Sequence, residues 1–168
     1  MISRVQTACL AGLEAQPVQL EVDLAGGIPA LVIVGLPDTA VTEARERVKA
    51  AIKNSGFAFP LKKVIVNLAP ADVRKEGTGL DLPLAVGILL AAGCIAETDT
   101  LPTTCFVGEL SLEGNLRRIN GALSVAIMAK KLGYSALVLP EENVAEASLV
   151  EGLNVFGLAR LGSVEKFI

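Results

Sequence analysis

A glycine-bearing loop before a helix is the first place in this sequence where residue types and spacing could do chemistry. Gly77-Thr78-Gly79 leads into an apolar helical pattern, and backbone N–H groups in such a loop can bind the phosphates of a nucleotide. The loop lacks the spacing and the Lys-Ser/Thr pair of a Walker A motif, and it is not a G-x-G-x-x-G motif. These glycines therefore favour a turn that directs the following helix.

The sequence contains no His, which removes the commonest general base, the commonest metal ligand and every Ser-His or Cys-His catalytic arrangement. An enzyme of this composition would depend on Ser, Thr, Lys or carboxylates. Cys9, Cys94 and Cys105 are far apart and have no C-x-x-C spacing. We interpret them as reduced, mostly buried thiols and expect neither a disulfide nor a metal site.

Positive charge is the other candidate for function. The net charge is -3 and the pI is about 5.1, so only a local basic patch could bind nucleic acid. Arg45, Lys49 and Lys53 are four residues apart along one border of the first predicted helix. They either belong to such a patch or, as spacing alone favours, extend over the apolar stripe and pair with Glu46. The other candidates lie at predicted loops or strand ends: Lys62, Lys63, Arg74, Lys75, Arg117 and Arg118.

The elements that must position these residues alternate between strand and helix patterns, which predicts an α/β (α+β) domain. The predicted strands are 5–10, 18–24, 30–35 (buried), 63–68, 105–110, 116–119, 136–139 and 155–158. The predicted helices are one from a cap at Asp38 or Thr39 to Gly56, then 81–92, 121–132 and a short helix at 141–149, with a terminal turn at 163–167. The turn signal Glu113-Gly114-Asn115 predicts a hairpin, which makes the sheet mixed.

Length and composition fit a single domain over residues 1–168. Apolar residues make up 52% of the chain and there is no Trp, so Ala, Val, Leu and Ile must build the core. The most apolar run, 82–96, is shorter than the roughly 18 residues of a membrane span and contains a proline and two glycines. The first six residues lack the features of a signal peptide. We expect a cytoplasmic protein with no membrane partner.

Several segments together resemble one known family. They are Val34-Gly35-Leu36-Pro37-Asp38, the runs 46–57 and 67–72, Arg74-Lys75-Glu76-Gly77, Leu80-Asp81-Leu82-Pro83, the run 108–114, Pro140-Glu141-Glu142-Asn143 and Glu146-Ala147. On these segments the sequence resembles the N-terminal domain of the Mg-chelatase-like ComM/YifB family, and the resemblance covers nearly the whole chain.

The resemblance implies a mixed sheet with packed helices like the proteolytic domain of Lon, placed ahead of an AAA+ ATPase module. It also implies that the longer protein forms a hexameric ring, uses Mg-ATP and acts on DNA in transformation or recombination. The Mg-ATP site belongs to the ATPase module, so no cofactor is expected in this chain. Ile168 falls about where such a first domain ends, which suggests an excised domain or fragment.

Lon proteases use a Ser nucleophile that a Lys base activates. By the resemblance, Asp81 stands near the nucleophile position and Leu123 near the lysine position, so no catalytic centre is expected. Asp81 is instead expected to cap its helix. A peptidase would have to use Thr78 or Ser124 with Lys75 as the base, whereas the simpler interpretation places Thr78 in a turn and Ser124 on a helix.

Two functions remain open at this point. The favoured one is a non-catalytic binding and assembly module whose partners are its own ATPase module, neighbouring subunits and DNA. The alternative is a degenerate or unorthodox Lon-like Ser/Thr peptidase. For DNA, Arg74 and Lys75 are the first choice, because their loop is rich in Pro and Gly and lies beside a helix start. Asp72 and Glu76 partly offset them, so binding should be weak, sequence-independent and sensitive to salt.

Overall fold

The structure, a computed structural model, describes residues 2–168; Met1 lies outside the described residues. The elements are β1 (Ser3–Ala11), β2 (Glu14–Ala25), β3 (Ala30–Val34), α1 (Thr39–Asn54), β4 (Lys63–Ala69), α2 (Asp81–Ala91), β5 (Thr104–Phe106), β6 (Glu109–Leu110), β7 (Leu116–Arg117), α3 (Ala122–Lys131), β8 (Ala136–Pro140), α4 (Val144–Ala147) and β9 (Asn154–Leu158). Short 3₁₀ turns lie at Leu101–Thr103, Glu141–Asn143 and Leu161–Phe167.

Seven of the strands form one mixed sheet in the order β3-β4-β2-β1-β5-β8-β9. β2 is antiparallel to its neighbours β1 and β4, and the other adjacent pairs are parallel. β6 and β7 form a separate antiparallel pair. The predicted α/β class with a mixed sheet and packed helices is confirmed.

Helices cover both faces of this sheet. In β1, Val5 and Cys9 belong to the core that α1 and α2 share, whereas Ala8 belongs to a second core with α3 and α4. Alternate residues of one strand therefore serve opposite layers. This three-layer arrangement explains why several strands are apolar on both sides.

The first helix forms as its sequence predicts. Asp38 is the N-cap, and its Oδ1 accepts a hydrogen bond from the N–H of Val41 at 2.8 Å. Gly56, with φ 89°, follows the C-cap, and the next N–H, of Phe57, returns to the carbonyl of Ile52 at 3.2 Å. Both ends are thus capped by local residues. The residues predicted to face inward are all buried: Val41, Ala44, Val48, Ala51 and Ile52.

The second helix is buried on every side, from Asp81 through Leu90. A Cβ at Gly87 would lie 2.8 Å from side-chain atoms of both Leu20 and Val22, so glycine lets α2 pack directly on the sheet. The apolar run that contains α2 is therefore a core helix. Among residues 2–168, no helix combines the length and apolarity that a membrane crossing requires.

The third strand is less buried than its apolar run predicts. Ala30 and Val34 are exposed, and the three residues between them are half-buried. The expectation of a fully buried strand is wrong because β3 is an edge strand, with β4 on one side only.

The predicted strand at 105–110 is two strands in the structure. β5 pairs in parallel with β8 in the large sheet, whereas β6 pairs with β7 in the predicted hairpin. Between them, Gly108 donates to the carbonyl of Gly79 at 2.8 Å and accepts from the N–H of Leu82 at 2.9 Å. These bonds draw the chain away from the sheet and toward the start of α2.

Candidate functional site

Asp81, the residue near the nucleophile position in the resemblance, begins α2 and is completely buried. Its carboxylate accepts hydrogen bonds from Nε and Nη2 of Arg47 at 3.0 and 3.1 Å, and from the N–H of Leu110 at 3.1 Å. The N-cap of α2 is Leu80, without a side-chain cap, so the expectation that Asp81 caps its helix is wrong. A buried carboxylate requires partners, and Asp81 finds them on α1 and β6.

Two opposing effects act on the pKa of Asp81 in this ion pair: loss of solvent and hydrogen bonding to its charged form. Burial raises the pKa of Asp81 above its ordinary value, while Arg47 and the Leu110 N–H act in the opposite direction. The hydrogen bond to Asp81 raises the pKa of Arg47, whose side chain is 25% exposed. Both carboxylate oxygens are engaged by a planar, two-pronged guanidinium. A carboxylate held in this way is a structural link and not a free nucleophile or base.

Leu123, near the lysine position, lies in the first turn of α3 and is half-buried. Its N–H donates to Oε1 of Glu146 at 3.2 Å, a carboxylate that also suits the positive end of the helix dipole. Gly121 precedes this turn with φ 77°, and a Cβ there would lie 2.6 Å from Leu10. These contacts fix the position of the turn, but an apolar side chain offers no general base.

A groove of about 510 Å³ lies beside these two positions, between the loop before α2 and the segment before α3. We call it the dyad groove; its lining includes Cys9, Asp38, Thr78, Leu80, Asn120 and Val125. Thr78 Oγ1 donates to Oε2 of Glu109 at 2.6 Å, and Ser124 Oγ donates to the carbonyl of Leu13 at 2.8 Å. Neither hydroxyl donates to Lys75, the base that the peptidase hypothesis requires. Thr78 donates to a carboxylate and Ser124 to a backbone carbonyl, while Nζ of Lys75 donates to the carbonyl of Pro70.

Lys75 is where the sequence-based expectation fails most clearly. Its side chain is completely buried, and Nζ donates to the carbonyl of Pro70. The backbone explains this, since the Lys75 N–H donates to Leu36 at 3.0 Å and its carbonyl accepts from the N–H of Asp38 at 2.9 Å. Burial also lowers the pKa of Lys75. The expectation that Lys75 is an exposed loop cation within reach of a phosphate is wrong.

The other predicted cations are exposed, but they do not share one environment. Arg74 forms an ion pair with Glu76 at 3.3 Å, and Arg117 lies 3.9 Å from Glu109. Within the described residues, no carboxylate lies within 4 Å of the remaining three, Lys62, Lys63 and Arg118. The role of these residues in DNA binding stays a prediction.

The structure adds a second groove that the sequence analysis did not identify. It has a volume of about 460 Å³ and is lined by Arg45, Glu46, Lys49 and Lys53 of α1, by the edge strand β3, and by the segment Phe59–Leu61. We call it the basic groove. The predicted pairing of its cations with Glu46 is absent from residues 2–168, where none of the three has a carboxylate within 4 Å. Lys49 Nζ instead lies over the ring of Phe59, 6.0 Å from its centroid.

The thiols are mostly buried, as predicted. Cys9 and Cys105 are buried, Cys94 is half-buried, and all three are free. Burial raises the pKa of Cys105 to about 12 and also raises the pKa of Cys9. In the part of the chain that the structure describes, no three His, Cys, Asp or Glu side chains come together as a possible metal site.

Comparison with known proteins decides the family. Residues 20–143, which include α1, α2 and the Arg47–Asp81 pair, match the family model described as subunit ChlI of Mg-chelatase. The chain belongs to this ChlI family. It is 43% identical to the uncharacterized protein YifB of Salmonella typhimurium over 98% of the chain, and 41% identical to the competence protein ComM of Haemophilus influenzae over 94% of the chain.

The similarity extends more weakly to a DNA repair protein. The chain is 32% identical to RadA of Streptococcus pneumoniae over 56% of the chain and 22% of that protein. It covers 32% of YifB and 30% of ComM, so it spans about a third of the length of these two relatives. The resemblance to the Mg-chelatase-like ComM/YifB family is confirmed.

Proposed function

We propose that this chain is a non-catalytic binding and assembly module of a cytoplasmic, Mg-chelatase-like ATPase that acts on DNA. The Arg47–Asp81 pair is the observation that carries the proposal. A reactive group at that place would have to be free to attack or to accept a proton, whereas this carboxylate is buried and held by three hydrogen bonds.

The DNA part of the proposal is supported by the names of two relatives. ComM is a competence protein and RadA a DNA repair protein, and this chain resembles a part of each. In the proposed longer protein, a separate module binds Mg-ATP and neighbouring subunits assemble into a hexameric ring. This chain would contribute contacts to that module, to its neighbours and to DNA.

The first test measures Mg-ATP binding to the 168-residue chain by isothermal titration calorimetry. We expect no saturable binding, because the phosphate-binding loop and the Mg²⁺ ligands of the proposed protein lie in the other module. Micromolar, saturable binding would contradict the proposal.

The second test addresses the peptidase alternative, in which Lys75 would activate Thr78 or Ser124. The contacts do not favour it, because Thr78 donates to Glu109, Ser124 donates to a backbone carbonyl, and Nζ of Lys75 donates to the carbonyl of Pro70. Casein and fluorogenic peptides should stay intact on incubation with the chain, with Thr78→Ala and Ser124→Ala as matched controls. Cleavage by the wild-type chain that either substitution abolishes would establish a peptidase in place of a binding module.

A further inference from the structure

The basic groove contains three cations that have no carboxylate within 4 Å among residues 2–168. Arg45, Lys49 and Lys53 are all exposed, and Glu46 is the one carboxylate among the groove's lining residues. Like charges four residues apart destabilise a helix, so α1 carries two unfavourable pairs along this border. An anionic ligand in the groove would remove that repulsion.

The spacing of these cations fits a linear polyanion better than a single small anion. Successive cations are about 6 Å apart along the helix axis, from the rise of about 1.5 Å per residue. Lys62 and Lys63 extend the positive charge past the groove. Lys62 directly follows Leu61 in the chain, and Lys63 pairs with Ala30 across the sheet; Leu61 and Ala30 both line the groove. Charges in a row of this kind match the regular phosphates of a nucleic-acid strand.

Apolar side chains in the groove favour single-stranded nucleic acid over a duplex or an acidic peptide. Phe59 and Pro60 line the groove, and Leu61 is 87% exposed beside them. Unpaired bases present flat apolar faces that contact such side chains without regard to sequence. A duplex hides those faces, and an acidic peptide has none.

We propose that the basic groove binds single-stranded nucleic acid, with Arg45, Lys49 and Lys53 on successive phosphates and the bases against Phe59 and Leu61. This inference rests on the proposed function, because it names the place where the module meets DNA. It replaces the loop at Arg74 and Lys75, where one cation is buried and the other is already paired.

The test compares two triple variants of the 168-residue chain with the same change in net charge. The groove variant is Arg45→Ala/Lys49→Ala/Lys53→Ala, and the control is Arg4→Ala/Lys130→Ala/Lys131→Ala, which removes exposed cations outside both the groove and the other DNA-binding candidates. Binding of a fluorescein-labelled oligothymidylate is followed by fluorescence anisotropy over a range of NaCl concentrations. Circular dichroism spectra and thermal melts establish that both variants are folded.

The groove variant should bind about tenfold more weakly than wild type at low salt, and the control should bind like wild type. The slope of log K against log salt should become shallower by about 2, since each phosphate contact on a single strand contributes about 0.7. Equal losses in both variants would overturn the proposal. So would displacement of the oligonucleotide by an equal charge of polyglutamate, or equal affinity for a duplex.

The outcomes separate this inference from the proposed function. If the wild-type chain binds the oligonucleotide and the groove variant binds it equally well, the groove assignment is wrong and the proposed function stands. If the wild-type chain does not bind at low salt, the groove assignment is again wrong. The proposed function fails independently if DNA has no effect on ATP hydrolysis by the longer protein.

Discussion

Replacing Arg47 by Met would leave the carboxylate of Asp81 buried with one hydrogen bond, from the N–H of Leu110, in place of three. Methionine keeps most of the apolar stem of Arg47, so the substitution removes mainly the charge and the hydrogen bonds. The experiment therefore isolates the ion pair that connects α1 to the start of α2.

The expected loss in the free energy of unfolding follows from the burial of this ion pair. Breaking a buried ion pair from one side costs about 3–5 kcal/mol. Because Asp81 is completely buried and keeps its bond to Leu110, we expect the free energy of unfolding to fall by about 3 kcal/mol at pH 8. Adding Asp81→Asn to Arg47→Met removes the uncompensated charge and should recover about 1–2 kcal/mol.

The loss should also depend on pH in a definite direction. Burial already raises the pKa of Asp81, and Arg47 is the main group that lowers it, so the variant's carboxyl should have a still higher pKa. Its folded state then binds more protons than the unfolded chain, and its stability decreases as pH rises through the folded pKa. The deficit of Arg47→Met should therefore be smaller at pH 5 than at pH 8, by about 1.4 kcal/mol for each unit of additional pKa difference.

Urea unfolding followed by far-ultraviolet circular dichroism suits this chain, which has no Trp and a single Tyr. Arg45→Met, on the exposed face of the same helix, is the matched control and should change stability by less than about 0.5 kcal/mol. A loss below about 1 kcal/mol for Arg47→Met, or a loss that is the same at both pH values, would refute the reasoning.

Three further predictions concern packing, buried hydrogen bonds and thiols. Gly87→Ala should lower stability by about 1–3 kcal/mol through overpacking against β2, whereas Gly79→Ala, where a Cβ meets nothing within 4 Å, should have little effect in the same urea assay. Asn143 makes two 2.9 Å bonds with the backbone before α3, so Asn143→Ala should lower the melting temperature and cost about 2–4 kcal/mol, unlike a silent Glu142→Ala control. Cys94 should react first with Ellman's reagent and Cys105 only on unfolding, since burial raises the pKa of Cys105 to about 12; rapid modification of all three thiols in the folded chain would contradict this.

Local patterns were sufficient to predict most elements of the fold. The first helix is an example, because its apolar spacing lies within the helix itself and its end signals, Asp38 and Gly56, lie within about one turn of its ends. The exposure of β3 was not predictable in the same way. Whether an apolar strand lies at the centre or edge of a sheet depends on which strands pair, and those partners are distant in sequence.

The candidate site depends more on contacts between distant residues than the helices and strands do, so less of it could be predicted from the sequence. Arg47 and Asp81 are 34 residues apart, and no sequence signal joined them. Arg74 and Lys75 look equivalent in the sequence, yet the backbone pairing with Leu36 and Asp38 buries only Lys75. The spacing of Arg45, Lys49 and Lys53 did predict their common border on α1, but the groove itself requires β3 and the segment at Phe59.

The measurement that tests the central claim most directly is the rate of ATP hydrolysis by the proposed longer protein, with and without single-stranded DNA, compared with its ATPase module alone. If the chain is a non-catalytic module that brings DNA to the motor, stimulation by DNA should require less DNA when the chain is present. The groove variant Arg45→Ala/Lys49→Ala/Lys53→Ala should raise the DNA concentration needed for half-maximal stimulation by about tenfold. The same DNA dependence with and without the chain would contradict the account.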